Sequence, residues 1–127
     1  MNDTEKGTVA ENAVALQYLK LGYDVLWPSG GGKSYDFILL KDNKYQKVQV
    51  KKAHTKKGIL TFNVRNSIGR SYVGLADLFG VYYQELDRVF VIPVDKIHKH
   101  YGALHLYLPR RKRAGQLNAC DYELKAA

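Results

Sequence analysis

Apolar residues recur at helical spacing from Val9 to Leu21: Val9, Ala13 and Leu16 form one stripe, and Ala10, Val14 and Leu21 widen it. Asn2 to Thr4 offer N-cap side chains before this stretch and Gly22 a left-handed residue after it, which predicts a helix ending near Leu21. Tyr23 to Trp27 reads as a short strand. From Tyr35 to Lys52 the period changes to two. Asp42-Asn43, which tolerate positive φ, divide that run into a hairpin. A further strand is expected from Ile59 to Val64. Ala76 to Tyr83 and Arg88 to Val94 then form a second hairpin around Gln84 to Asp87. Its V-F-V-I-P-V run is apolar on both faces, as in a buried strand with proline near its end. A short helix from Asp95 and a last strand from Leu104 to Leu108 follow. Tyr122 and Leu124 close the chain, packed on the domain or on another copy.

The first hairpin has a chemical consequence. A two-residue turn at Asp42-Asn43 sets Lys41 opposite Lys44, Phe37 opposite Val48 and Asp36 opposite Gln49. Directly opposed residues have Cβ atoms roughly 4.5–5.5 Å apart. Lys51 lies two residues beyond Gln49, on the same face, while Val48 and Val50 point into a core. A carboxylate, an amide oxygen and an ammonium group thus share one strand end. Hard oxygen ligands suit Mg²⁺, and a lysine beside it can act on a water and on phosphoryl oxygens, so the trio can hydrolyse a phosphodiester. A hairpin with one solvated polar face has the same residues.

Charge narrows the partner. Twenty Lys and Arg against 12 Asp and Glu give a net charge of +8 over 127 residues, which favours a polyanion through counterion release. The length fits one domain, residues 1–127. No apolar run approaches a membrane span, no basic amphipathic helix has a wide apolar face, and the N-terminus lacks a signal peptide's apolar region. The single cysteine, Cys120, excludes an intramolecular disulfide and is expected to be a buried small residue; a reducing, cytoplasmic location follows as an expectation.

Several stretches together resemble one family. They are K-G-T-V-A-E at Lys6 to Glu11, G-Y-D-V at Gly22 to Val25, V-Q-V-K-K-A at Val48 to Ala53, A-D-L-F-G-V-Y at Ala76 to Tyr82, and V-F-V-I-P-V at Val89 to Val94. The order of a helix with Glu11, a strand with Asp36 and a strand with Gln49-Val50-Lys51 resembles the PD-(D/E)XK nuclease superfamily, in its group I intron-associated homing endonuclease branch. The likeness covers nearly the whole chain. It implies an α/β fold with a restriction-endonuclease-like core, a mixed β-sheet flanked by helices. It also implies Mg²⁺-dependent hydrolysis of double-stranded DNA by a metal-activated water, with Mn²⁺ able to substitute. Asp36 would be the principal metal ligand, Gln49 a weaker second ligand, Lys51 the catalytic lysine and Glu11 an additional acid. Tyr35 stands where the family has proline and Gln49 where it has a second acid, leaving one negative charge fewer. One site per subunit implies a dimer or a dimer of dimers and a palindromic or near-palindromic target. Two rival readings remain: a Holliday junction resolvase, and a DNA-binding module whose nuclease site has decayed, which Gln49 favours.

Other positions are candidates for DNA contact. Gly31-Gly32-Lys33-Ser34 lacks the first glycine of a P-loop and precedes a strand, so no nucleotide cofactor is expected; Lys33 touches a backbone phosphate or only decorates a turn. Lys52 and His54 adjoin the proposed site and suit phosphate contact. Asn63, Arg65, Asn66 and Arg70 carry side chains that read base edges, although a polar loop has the same composition. Arg110, Arg111, Lys112 and Arg113 suit phosphate contact or form a solvated basic loop. Asp77 caps a turn or helps to position a metal-bound water, and the structural reading is preferred. His98 and His100 lack the i, i+4 spacing of a helical metal pair.

Overall fold

The computed structural model describes residues 1–31, 33–66, 68–98, 100–107 and 115–125. Helix α1 (Asp3–Lys20) starts where Asn2 Oδ1 accepts the Glu5 N–H at 2.8 Å. It stops at Leu21, followed by Gly22 at φ +87°. The buried face differs from the expected stripe: Ala10, Val14, Ala15 and Tyr18 are buried, Val9 and Ala13 are half-buried, and Leu16 is half exposed. That face centres on Ala10, Val14 and Tyr18, and Leu16, two residues from Val14, lies on the other side of the helix. Helix and sheet approach closely there: a Cβ on Gly80 would lie 2.8 Å from Val14 Cγ1 and 3.3 Å from Val48 Cγ1.

Strands β1 (Asp24–Leu26), β2 (Phe37–Lys41), β3 (Lys44–Lys52), β6 (Leu78–Tyr83) and β7 (Arg88–Pro93) form a mixed sheet in the order β1-β2-β3-β6-β7. All pairs are antiparallel except β3 with β6. Asp42 and Asn43 take φ of 52° and 60°, and the register sets Phe37 against Val48 and Lys41 against Lys44, as expected. Asp77 bridges β3 to the start of β6: its carboxylate accepts the Lys47 N–H at 2.7 Å and its own N–H meets Lys47 O at 2.9 Å. The long connection needed for a parallel pair carries β4 (His54–Lys56) and β5 (Ile59–Phe62), joined by a second positive-φ turn at Lys57-Gly58. With β8 (Gly102–His105) they form a second, three-stranded sheet that local periodicity did not reveal.

Two apolar clusters result. Phe37, Leu39, Val48 and Val50 pack against α1. Phe79, Val81, Phe90 and Ile92 pack on the opposite side against Leu60, Phe62 and Leu104 of the small sheet. The C-terminal segment lies along β7, where Leu124 N–H bonds Val89 O and Arg88 pairs with Glu123 at 2.6 and 3.1 Å. Three expectations change. The helix from Asp95 is a single 3₁₀ turn, Val94–Lys96. Among the described residues the flanking helices reduce to α1 and three 3₁₀ turns. Cys120 is exposed rather than buried, because it sits in the 3₁₀ turn Ala119–Asp121, whose inward residue is Ala119. No described helix is long and apolar enough to cross a membrane.

Candidate active site

Strand β2 begins at Phe37 whereas β3 runs on to Lys52, so beyond Val48 the β2-facing edge of β3 is free. The expected ladder pair of Asp36 with Gln49 does not form. Asp36 instead donates its N–H to Val48 O at 2.8 Å, and its carboxylate accepts the Val50 N–H at 2.6 Å. The Val50 N–H, which has no partner on β2, thus orients the acid, since an unpaired half-buried N–H would be costly. On the other edge β3 remains paired with β6, setting Gln49 against Phe79 and Lys51 against Val81. Gln49 and Lys51 therefore share a face, opposite the buried Val48 and Val50, as the alternation requires.

Helix α1 brings Glu11 over this edge. Gly7, Ala10, Glu11, Asp36, Gln49, Val50, Lys51, Lys52, His54 and Asn63 line one open pocket of about 410 Å³. Glu11, Asp36, Gln49 and Lys51, from three separate elements, meet there. Burial, a hydrogen bond shared with Asp36 and the Asp36 charge push the Glu11 carboxyl up to about 7. Burial lowers the Lys51 ammonium, and the Asp36 charge opposes that shift. Gln49 Nε2 approaches Val50 O at 3.4 Å. Two carboxylates and an amide make up the oxygen set, and among the described residues no cluster of three His, Cys, Asp or Glu exists.

Of the expected DNA contacts, Lys52, His54 and Asn63 line the pocket. Lys33 is exposed on the β1–β2 loop, away from the pocket lining. The 65–71 loop is braced by its own polar groups. Asn66 Oδ1 accepts the Ile68 and Arg70 N–H groups, at 3.1 and 2.8 Å, and Asn63 Oδ1 accepts that of Arg65 at 3.0 Å. The Arg65 guanidinium holds Gly69 O at 2.6 Å and His100 Nδ1 at 2.8 Å. Asn66 and Arg65 therefore build the loop, while the neighbouring Arg70 is exposed. Arg110, Arg111 and Arg113 lie outside the described residues. Sequence reasoning missed Tyr72, whose hydroxyl meets Lys51 Nζ at 3.0 Å. It also missed Gly7 and Ala10, small residues that line the pocket beside Glu11. Tyr72 has no local sequence signal, since its contact joins segments 21 residues apart, whereas Gly7 lies one helical turn before Glu11 and its place follows from i, i+4 spacing.

Comparisons with known proteins bear on the fold and the family. The fold is similar to that of a bacterial homing endonuclease, I-Ssp6803I, with a TM-score of 0.76 and 26% identity, covering 96% of this chain and 86% of that one. Protein 5.3 of Escherichia phage T7 is 41% identical over 49 residues, 39% of this chain; the match spans 42% of the phage protein's length. The family model for PD-(D/E)XK endonucleases matches residues 1–124, and the chain belongs to that family.

Proposed function

We propose that the chain is a site-specific endonuclease that hydrolyses phosphodiesters of double-stranded DNA with Mg²⁺, or Mn²⁺ in its place. The observation that carries this reading is the convergence of Glu11, Asp36, Gln49 and Lys51 on one pocket at the free edge of β3, in a chain of this family. The residues fit a divalent cation. The donors are all hard oxygens, and burial together with the neighbouring Asp36 carboxylate pushes Glu11 up to about 7, a cost that a positive charge between the two acids would offset. Asp36, Glu11 and the Gln49 amide oxygen would hold the ion, which supplies Lewis-acid stabilisation of charge developing on the phosphoryl oxygens.

The protein's own groups do the rest. Asp36, pinned by the Val50 N–H, fixes one side of the pocket. Lys51 reaches the same space from β3, and as an ammonium it stabilises the scissile phosphate's developing charge. Its lowered proton affinity also eases proton exchange with the attacking water. Lys52 and His54 flank the pocket and neutralise adjacent phosphates. Arg70 and Lys33 are exposed cations available to backbone phosphates, Asn63, Arg65 and Asn66 belong to the polar 63–71 segment, and Arg110, Arg111 and Arg113 would add charge toward the same polyanion.

One such site cuts one strand. Double-strand cleavage therefore needs two copies, as a dimer or a dimer of dimers, on a near-palindromic target; the similar I-Ssp6803I is itself a homing endonuclease. The test is cleavage of a randomised duplex library and of a synthetic four-way junction, each with Mg²⁺ and with EDTA. Enriched cuts at one near-palindromic sequence support the proposal. Cutting of the junction alone makes the protein a resolvase. Tight binding without cutting makes Gln49 the mark of a decayed site.

A further inference from the structure

The proposed chemistry gives Lys51 a task but does not say what holds it in place. A free lysine side chain has several rotatable bonds, and fixing it costs rotamer entropy. Here Lys51 Nζ lies 3.0 Å from Tyr72 Oη and 4.6 Å from the centroid of the same ring. Tyr72 is itself immobilised. It is 5% exposed and meets Phe79 edge-on, with centroids 5.6 Å apart, and Phe79 meets Phe62 in the same way. Its carbonyl accepts the N–H groups of Leu75 at 2.8 Å and Ala76 at 3.0 Å. Burial, and then the Asp36 charge, raise the Tyr72 hydroxyl's pKa, so it stays a neutral phenol able to accept from an ammonium. Along the chain Tyr72 directly follows Ser71, which closes the 65–71 loop by bridging Arg65. One core residue therefore joins the braced basic loop to the ammonium in the pocket.

We propose that Tyr72 is a positioning residue: its hydroxyl holds the Lys51 ammonium at the pocket. This rests on the reading of Lys51 as acting on the scissile phosphate. Small misplacements of a reacting group cost large factors in rate. Tyr72→Phe keeps the ring, its packing and the cation–π face but removes the hydroxyl.

The test measures Mg²⁺-dependent cleavage, by the wild type, Tyr72→Phe and Lys51→Met, of a plasmid carrying the target site selected from the randomised duplex library, alongside ¹⁵N-resolved NMR of the lysine ammonium groups without DNA. Lys51→Met identifies the Lys51 resonance by its loss. In Tyr72→Phe that resonance is expected to shift or to vanish through faster exchange. kcat is expected to fall on the order of tenfold, with KM within about twofold and Tm unchanged. A Tyr72→Phe protein that cuts at the wild-type rate, or whose Lys51 resonance is unmoved, overturns the inference alone, provided that wild type cuts and Lys51→Met does not. A Lys51→Met protein that cuts as wild type does, or a wild type that fails to cut, overturns the reading of Lys51 and this inference with it.

Discussion

Gly80 is the position where helix packing and the active site meet, and its replacement by alanine tests both. The added Cβ would lie 2.8 Å from Val14 Cγ1 and 3.3 Å from Val48 Cγ1, inside contact distance. Both neighbours are fully buried, so neither can swing away into solvent. Overpacking of this kind costs about 1–3 kcal/mol. Val14→Ala alone removes two buried methyl groups and costs a similar amount, roughly 1–3 kcal/mol. Combined, the alanine at 80 fills part of the space that Val14 vacates. The double variant is therefore expected to be more stable than the sum of the single effects by about 1–2 kcal/mol. Urea denaturation of the four proteins measures this, with unchanged m-values expected. Glu11 lies three residues before Val14, on the adjoining surface of α1. Gly80→Ala is thus expected to impair cleavage as well, and Val14→Ala to restore part of it. Additive stabilities, or a neutral Gly80→Ala, would refute the argument that the close approach at Gly80 seats α1.

Other expectations are independent of that one. In EDTA, Glu11→Gln should stabilise the protein at pH 8.5 and leave it nearly unchanged at pH 4.5. A carboxyl whose folded value is raised from 4.5 to about 7 contributes its full stability below 4.5 and loses it as pH rises through 7. Solvent screening of this partly exposed pair limits the gain to about 1 kcal/mol, read from thermal melts at the two pH values; a loss of stability at pH 8.5 would contradict it. Asn66→Ala should loosen the 65–71 loop and cost about 1 kcal/mol, whereas Asn66→Asp, which keeps the acceptor for the Ile68 and Arg70 N–H groups, should cost less. Equal losses in denaturation midpoint would show that the amide donors matter instead. Removing Arg88, which holds Glu123 at 2.6 Å and 3.1 Å, should release the C-terminal segment from β7. Hydrogen exchange at Leu124, whose N–H bonds Val89 O, would report it, and unchanged protection there would count against the role given to this pair.

What could be read from the residues was what short-range physics decides. The Asn2 cap, the Gly22 stop and the Asp42-Asn43 turn each depend on a few neighbouring residues, and the turn alone set the register of β2 and β3. That register placed Gln49 and Lys51 on one face and Asp36 beside them. Failures came where distant segments compete. The Asp36 carboxylate leaves the ladder because the Val50 N–H needs a partner beyond the end of β2, which periodicity does not encode. Leu16 loses its expected place because the face that meets the sheet is the one carrying Ala10, Val14 and Tyr18, a choice made by the distant strands rather than by the helix's own periodicity. The small sheet joins β5 to β8 across some forty residues, and Tyr72 meets Lys51 across 21, so neither has a local signature. Glu11 stands apart: resemblance to the family singled it out, and the helix brings it into the pocket.

The most direct test of the account compares wild type, Asp36→Asn and Lys51→Ala in single-turnover cleavage of DNA with Mg²⁺ and with EDTA, with DNA binding measured in parallel. Mg²⁺-dependent cutting by the wild type alone is predicted, with both variants binding DNA but reduced in rate by at least about a hundredfold. Cleavage that persists in EDTA, or in Asp36→Asn at the wild-type rate, would contradict the claim that these side chains form a metal-dependent nuclease site.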